Sequence, residues 1–397
     1  MNNKNNGFSL IWVLGIVIIV SIISGLTTGV IVYNNNKLSN KVTYADLSND
    51  EELNQFLEVY ANITSEYYED VNKKELLEKA IAAMMNYLGD DYTTYLDGEN
   101  TNELFSKLSG EYTGIGIAIN NDNKTITKVY DDTPASKVDI KEGDIIVGFN
   151  EQDVSNLTVT EIVSFIKGTN NYFILKLKRG EEIITVKLKN EKIIQPCIDY
   201  KIIDETSKIG YIYIETFSKT LGVQIEKALK ELEASGMKSL IIDVRENTGG
   251  YLEAASEIAN MFIKKGEKIY SLNYKNTVNH YLDETNEYKD YNVVVLINGN
   301  SASASEILAA SLKESYGAKL VGEKTFGKGK VQQTMELEDG SMIKYTSAYW
   351  LTPNGTCIDG VGISPDYIIS NENKVDETGN IIEIIDKQLE KAINILR

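Results

Sequence analysis

Histidine is nearly absent from this chain. Its 397 residues include one, His280, and only two cysteines, Cys197 and Cys357. A Cys/His zinc site takes about four such ligands, so none can be assembled here, and neither a metal nor a cofactor is expected. A serine hydrolase built on a Ser–His pair would have to use His280 and nothing else. Cysteines this sparse do not make a disulfide framework, and the sequence leaves open whether the two pair or stay as separate thiols. Basic residues are also short: 40 Lys and Arg against 58 Asp and Glu give a formal net charge of −18. Affinity for a phosphate backbone comes mainly from Lys and Arg, so no nucleic-acid partner is expected. There is no internal repeat and no low-complexity tract. What is plentiful is apolar content, at 42%, enough to fill real cores, and the length suggests two or three domains.

One stretch lacks charge altogether. From Phe8 to Tyr33 the chain reads FSLIWVLGIVIIVSIISGLTTGVIVY, long enough for a membrane-spanning helix of about 20 apolar residues. Lys4 precedes it and the acidic bulk follows, which favours an inside amino terminus and an extracytoplasmic remainder in a single-pass protein of the cell membrane. A cleaved signal peptide is the weaker reading, because the apolar run exceeds a typical h-region and no Ala-x-Ala site closes it. The expected plan is a tip and anchor at 1–33, a polar linker at 34–50, a helical segment at 51–108, a β-rich module at 109–192, an alternating α/β region at 193–370 and a C-terminal helical segment at 371–397.

Apolar residues from Leu53 to Met84 recur at helical spacing and predict two helices separated near Asp70–Asn72. Residues 109–190 carry short β-rich runs around one helical stretch, Val159–Lys167, the make-up of a compact peptide-binding module. Beyond Ile193, strands alternate with helices: KIGYIYI, helix Leu221–Ser235, SLIIDV, helix Glu253–Lys264, NVVVLI, helix Ser303–Tyr316 and KLVGE. That alternation implies right-handed crossovers and a mostly parallel sheet. Asp339–Gly340 then joins strands Lys330–Leu337 and Ser341–Leu351 as a hairpin. The last helix, within Asn380–Arg397, is amphipathic enough to pack on the body or on another subunit of a homo-oligomer.

Three turns could carry chemistry. GNSASASEI, from Gly299 to Ile307, follows an apolar strand and opens a helix, where hydrolases often place a nucleophile, here Ser303. Ser303-x-x-Glu306 is equally a capping box, and a cap is the commoner use of such a serine. TFGKGKVQQ, from Thr325 to Gln333, sets Lys328 between Gly327 and Gly329, small neighbours around which a fold can close, although a loop lysine is usually solvated. Gln332 shares a strand face with Lys328 if pairing begins there, and from that face it could hydrogen-bond the amine. DVRENTGG, from Asp243 to Gly250, ends another strand, and Gly249 or Gly250 could join the Ala304 amide in an oxyanion hole.

The order ENTGG, SASASEI, TFGKGKVQQ resembles the carboxyl-terminal processing peptidases, or tail-specific proteases. The resemblance implies Ser303 as nucleophile, Lys328 as general base and Gln332 as its support, with oxyanion amides from Ala304 and one of Gly249 and Gly250. It also gives Glu314 the family's acidic position after the nucleophile, a role read here as structural. LGDDYTTYLDGE (Leu88 to Glu99) is similar to the family's segment before its PDZ domain, and SGEYTGIGIAI (Ser109 to Ile119) to the carboxylate-binding strand and loop of that domain. Peptide binding is thereby placed on Tyr112, Thr113, Gly114, Ile115, Gly116 and Ile117, with Lys167 where the family commonly has arginine. Thr248 stands where the family usually has proline. The implied architecture is α+β and multidomain: a membrane helix, a helical segment, a PDZ-like β module and a ClpP/crotonase-like protease core. The implied activity is a membrane-anchored serine endopeptidase acting near the C-termini of protein or peptide substrates.

A lysine base must be neutral, although a free lysine has a pKa of about 10.4, so Lys328 is expected to be largely buried. A trypsin-like reading fails because His280 lies in the polar stretch NTVNHYLDETNEY, far from a glycine turn. The alternative from another class is a non-catalytic, membrane-tethered PDZ adaptor with a degenerate protease fold. An acyl-CoA-binding enzyme of similar crossover fold lacks a basic nucleotide pocket.

Overall fold

A computed structural model describes residues 49–286, 288–375 and 381–397. The expected membrane helix at 8–33 and most of the linker lie outside these residues. Among the described residues no helix is long and apolar enough to cross a membrane. The chain divides into two compact units at Ala80/Ile81.

In the first unit, helix Glu51–Glu66 begins where the Asp50 side chain accepts a hydrogen bond from Leu53 N at 2.8 Å. This bond satisfies a first-turn amide that has no partner within the helix. The second helix, Lys73–Tyr87, crosses the unit boundary. The break between the two helices falls at the expected place.

The second unit contains a β-rich module. Antiparallel strands Ile145–Phe149, Phe173–Arg179 and Glu182–Leu188 alternate buried and exposed side chains. Helix Val159–Lys167 starts at a Thr158–Glu161 capping box and turns Val159, Ile162 and Ile166 inward. A core including Ile126, Ile146, Ile162, Phe173 and Leu175 closes the module. Strand Ile117–Ile119 pairs with Ile126–Val129 and leaves its other edge unpaired among the described residues.

The alternating region builds a six-stranded sheet. Its order is Ile198–Asp204, Ile209–Ile214, Ser239–Asp243, Asn292–Ile297, Lys319–Gly322 and Tyr367–Ile368. The first pair is antiparallel and the rest are parallel, as the crossovers require. Ser239–Asp243 is buried throughout, and Asn292–Ile297 from Val293 onward, because helices cover both faces. Helices Leu221–Ala234, Leu252–Asn260 and Ala304–Ser311 share one core. Helix Lys387–Leu396 packs Leu389, Ala392 and Ile393 against Ile241, Val294 and Leu296 on the other face. The amphipathic C-terminal helix therefore seals its own sheet.

Three features differ from the expected plan. Lys268–Tyr274 and Thr277–Leu282 form a hairpin that the polarity of the second run concealed, since all six of its residues are exposed. The hairpin joins a second sheet with Lys330–Glu336, Met342–Leu351 and the short strand Thr94–Leu96. The helix expected over Ser303–Tyr316 ends as α at Ser311 and continues as a five-residue π turn, Leu312–Tyr316. Before the last helix, Glu372–Val375 pairs with Ile381–Ile385.

The Asp144 carboxylate offers a test of what holds the β module. Its side chain is almost fully buried; Arg179 Nε donates to Oδ1 at 2.7 Å, and Arg179 Nη2 and Lys141 N each donate to Oδ2 at 2.8 Å. The bonds from Arg179 hold this carboxyl below its ordinary pKa against the opposing effect of burial. Its contribution to stability is therefore complete above the unfolded pKa and is lost as pH falls through the lower folded value. Asp144→Asn should destabilise the module by about 1–3 kcal/mol near neutral pH. The gap should narrow as the medium is acidified, read by hydrogen exchange in strands Phe173–Arg179 and Glu182–Leu188.

Candidate active site

The site begins at the strained turn after strand Asn292–Ile297. Ser303 has φ 56° and ψ −116°, a backbone conformation that non-glycine residues rarely adopt without being held there. The hold comes from neighbours. Ser301 Oγ donates to Val244 O at 2.8 Å, Ala302 N donates to Asn247 O at 3.1 Å, and Ser305 Oγ donates to the same carbonyl at 2.8 Å. Ser301, Ala302 and Ala304 are buried, while Ser303 between them is partly open to solvent. A lone hydroxyl at the start of a helix, on a tight strand-to-helix turn, is the geometry of a nucleophile elbow.

The facing turn is built on Asn247, which is buried and which sequence reasoning did not single out. Its Nδ2 donates to Ile214 O at 2.7 Å, and its Oδ1 accepts from Gly249 N at 2.8 Å. Gly249 has φ +100°, and a Cβ there would meet Ala302 O at 2.7 Å and Ser303 Cβ at 2.9 Å. Only glycine lets this turn lie against Ser303. Gly250 instead packs against the Phe217 carbonyl. The Gly249 amide is thus engaged by Asn247, whereas the Gly250 amide donates no hydrogen bond among the described residues.

Glu306, expected only as a cap, is the centre of the arrangement. It is fully buried. Its Oε2 accepts from Ser303 N and from Lys328 N, each at 2.9 Å. Its Oε1 accepts from Thr325 Oγ1 at 2.6 Å and from Gly327 N at 2.8 Å. The amides of Ser303 and Lys328 thus share one oxygen, which binds the serine turn to the lysine loop. Four donors compensate a carboxylate that burial would otherwise make very costly. The signal in the sequence was an acidic residue inside an apolar helix, ASEILAAS, where an exposed cap would have shown more polar company.

The lysine loop is closely wrapped. Gly327 has φ +91° and abuts the amides of Val361 and Gly362. Gly360 N donates to Gly327 O at 2.9 Å, and Gly329 N donates to Asp359 Oδ1 at 3.1 Å. Trp350 Nε1 donates to Lys328 O at 2.9 Å. Burial, with help from nearby Lys344, lowers the Lys328 pKa from its ordinary value, while Glu306 opposes the change. Lys328 Nζ lies 4.7 Å from the centroid of the Tyr92 ring. Among the described residues it makes no hydrogen bond to Ser303 or Gln332.

Gln332 is placed otherwise than the face argument supposed. Pairing begins at Lys330, and the register shifts between Val331 and Gln332, so simple alternation from Lys328 does not hold. Its Nε2 reaches Thr346 Oγ1 across the hairpin at 3.4 Å, and Thr346 Oγ1 donates to Asp90 Oδ2 at 2.6 Å. Glu314, on the π turn, accepts from Asn354 N at 2.8 Å, a loop-holding contact. His280 is an exposed strand residue whose Nδ1 meets Ser271 Oγ at 2.8 Å, on a hairpin separate from the Ser303 turn. Cys197 is buried and Cys357 exposed, both free.

A cleft of about 460 Å³ in the β module collects Tyr112, Thr113 and Lys167, together with Lys192 and, from helix Gly98–Ser109, Phe105 and Ser109. Ile115 is a core side chain of the module, so only its main chain could meet a ligand. Gly116 has φ +83° and faces Thr133. Another cavity, of about 480 Å³, holds neither Ser303 nor Lys328. There Arg245 bridges Asp243 and Asp386 and ties the last helix to the sheet.

With this geometry the comparisons are informative. Residues 208–369 match Peptidase family S41, residues 103–178 a PDZ domain and residues 25–100 the activating protease CtpB N-terminal domain. A probable CtpA-like serine protease of Staphylococcus aureus (strain MRSA252) is 35% identical over 364 residues, 90% of this chain and 71% of that protein. The chain belongs to peptidase family S41. It is a CtpA-like serine peptidase with a PDZ domain, and the adaptor reading falls. A probable CtpA-like serine protease of Staphylococcus epidermidis is 34% identical, over 90% of this chain and 72% of its own length. Among solved structures, the photosystem II D1 C-terminal processing protease aligns with TM-score 0.48 at 24% identity, covering 81% of this chain and 94% of that one.

Glu306→Gln keeps the size of the side chain but replaces one acceptor oxygen with a donor. Peptidase activity should fall by about 10²-fold, as expected when reacting groups drift by about 1 Å, while thermal unfolding still shows a folded protein. A rate within a few-fold of wild type would show that the shared carboxylate does not set the site.

Proposed function

We propose that this S41 peptidase is a membrane-anchored serine endopeptidase that cuts proteins near their C-termini, with Ser303 as nucleophile and Lys328 as general base. The observation that carries the reading is the Glu306 carboxylate, which holds the strained Ser303 turn and the closely wrapped Lys328 loop on one oxygen. Lys328 supplies a base once its amine is neutral, and burial lowers its pKa toward that form.

In the proposed reaction Ser303 Oγ attacks the scissile carbonyl as its proton passes to Lys328 Nζ. The oxyanion is met by the Ala304 amide and by an amide of the Gly249–Gly250 turn. The ammonium returns the proton to the leaving amine, and water, deprotonated by the same lysine, releases the acyl group. Gln332 acts through Thr346, fixing the hairpin from which the lysine loop springs.

Substrate choice belongs to the PDZ domain. The unpaired edge of Ile117–Ile119 can add a peptide strand, and Lys167 brings positive charge to a cleft beside Tyr112 and Thr113, where Lys192 is paired with Glu111. The uncharged run at residues 8–33 anchors the chain with its peptidase part on the extracytoplasmic side.

Ser303→Ala and Lys328→Ala should each reduce cleavage by at least about 10³-fold. A peptide with a free carboxyl end should be cut faster than its amidated twin, and Lys167→Ala should erase that preference. Normal turnover by Lys328→Ala would overturn the mechanism. Equal cleavage of the two peptides by wild type would overturn carboxylate capture.

A further inference from the structure

The Lys328 ammonium rests on an aromatic face. Besides Lys328 Nζ at 4.7 Å from the Tyr92 centroid, Lys330 Nζ lies 5.6 Å from the same centroid. The ring is carried by a turn that is itself fixed in place. Asp90 Oδ1 accepts from Lys330 Nζ at 2.9 Å, and its Oδ2 accepts from Thr93 Oγ1 and Thr346 Oγ1 at 2.6 Å each. Thr346 N donates to Thr93 Oγ1 at 3.1 Å. Tyr92 is therefore carried by a turn pinned to the hairpin that follows the lysine loop and carries Gln332, and that turn cannot leave the hairpin without breaking three hydrogen bonds.

An aromatic face attracts a cation through its quadrupole and has no comparable attraction for a neutral amine. The Tyr92 face is thus selective for the protonated form of Lys328, the form that cannot accept a proton from Ser303. We propose that Tyr92 is a positioning residue that seats Lys328 in its charged form, and so sets the fraction of enzyme whose lysine is neutral and free to engage Ser303. This inference rests on Lys328 being the general base.

The charges around the pair are consistent with a poised seat. Burial and Lys344 push Lys328 toward neutrality, and Glu306 opposes them. Lys330, which shares the ring, is paired by Asp90, so the ring does not host two uncompensated cations. Burial and Asp359 raise the pKa of the Tyr92 hydroxyl above its ordinary value, with smaller effects of Asp91 and Asp90 in the same direction and of Lys330 against it.

The test is the pH profile of kcat/KM on a free-carboxyl peptide for the full chain, its Tyr92→Leu and Tyr92→Phe variants, and a series with progressively fluorinated phenylalanine at position 92. Fluorination weakens the ring face and leaves its packing in place, so the series answers even where Tyr92→Leu folds poorly. Loss of the ring face should lower the Lys328 pKa, moving the acid limb of the profile down by about half to one pH unit. Activity below the limb should then rise about 3- to 10-fold. Tyr92→Phe should keep the limb where wild type has it, and each added fluorine should move it further down. A limb that stays put or moves up with fluorination, or a Tyr92→Phe limb displaced as far as that of Tyr92→Leu, would overturn the seat. Lys328→Ala is the control that separates the two ideas. If it is inactive while fluorination does nothing, only the seat fails; if it is active, the lysine-base reading fails with it.

Discussion

One buried carboxylate, that of Glu306, holds two turns that no secondary structure joins. The Ser303 turn comes from the parallel sheet and the lysine loop from the connection to the second sheet. Each turn alone would be a flexible connection, and both are short of side-chain bulk. By accepting from Ser303 N, Lys328 N, Gly327 N and Thr325 Oγ1, Glu306 replaces flexibility with a fixed separation. The cost of burying a carboxylate is offset by four donors, and the four donors in turn are held where that carboxylate places them. The strained φ of Ser303 and the close approach of Gly249 are sustained by the same arrangement.

Burial then acts a second time, on the lysine. A loop closed against Gly360, Gly362 and Trp350 desolvates Lys328, which is what a lysine needs in order to act where a histidine would otherwise serve. The scarcity of histidine that first seemed to leave His280 as the base becomes a natural property of this chain. His280 sits on an exposed strand with Ser271, on a hairpin separate from the Ser303 turn. The aromatic seat at Tyr92 adds the opposing pull, so that desolvation and the ring face compete over one proton.

Much of this was legible in the residues. The alternation of apolar strands and helices beyond Ile193 gave the parallel sheet, because buried strands and amphipathic helices have different periods. The glycine-flanked lysine and the strand-to-helix serine were visible as local patterns. Other parts were not, for physical reasons. Strand Thr277–Leu282 is exposed on every residue, so it has no hydrophobic period to read. Gln332 was placed by a register shift in the hairpin, which side-chain alternation cannot foresee. Asn247, Asp90 and Tyr92 act through contacts between segments far apart in sequence, and Glu306 looked like a helix cap because locally it is one.

The central claim is that the fold makes Lys328 a base by lowering its pKa. The most direct measurement is an NMR titration of the Lys328 side chain, with lysine labelled at the ε position, in the otherwise intact protein carrying Ser303→Ala. The account predicts a pKa clearly below that of the exposed lysines in the same spectrum. A Lys328 that titrates with them, or above them, would contradict it.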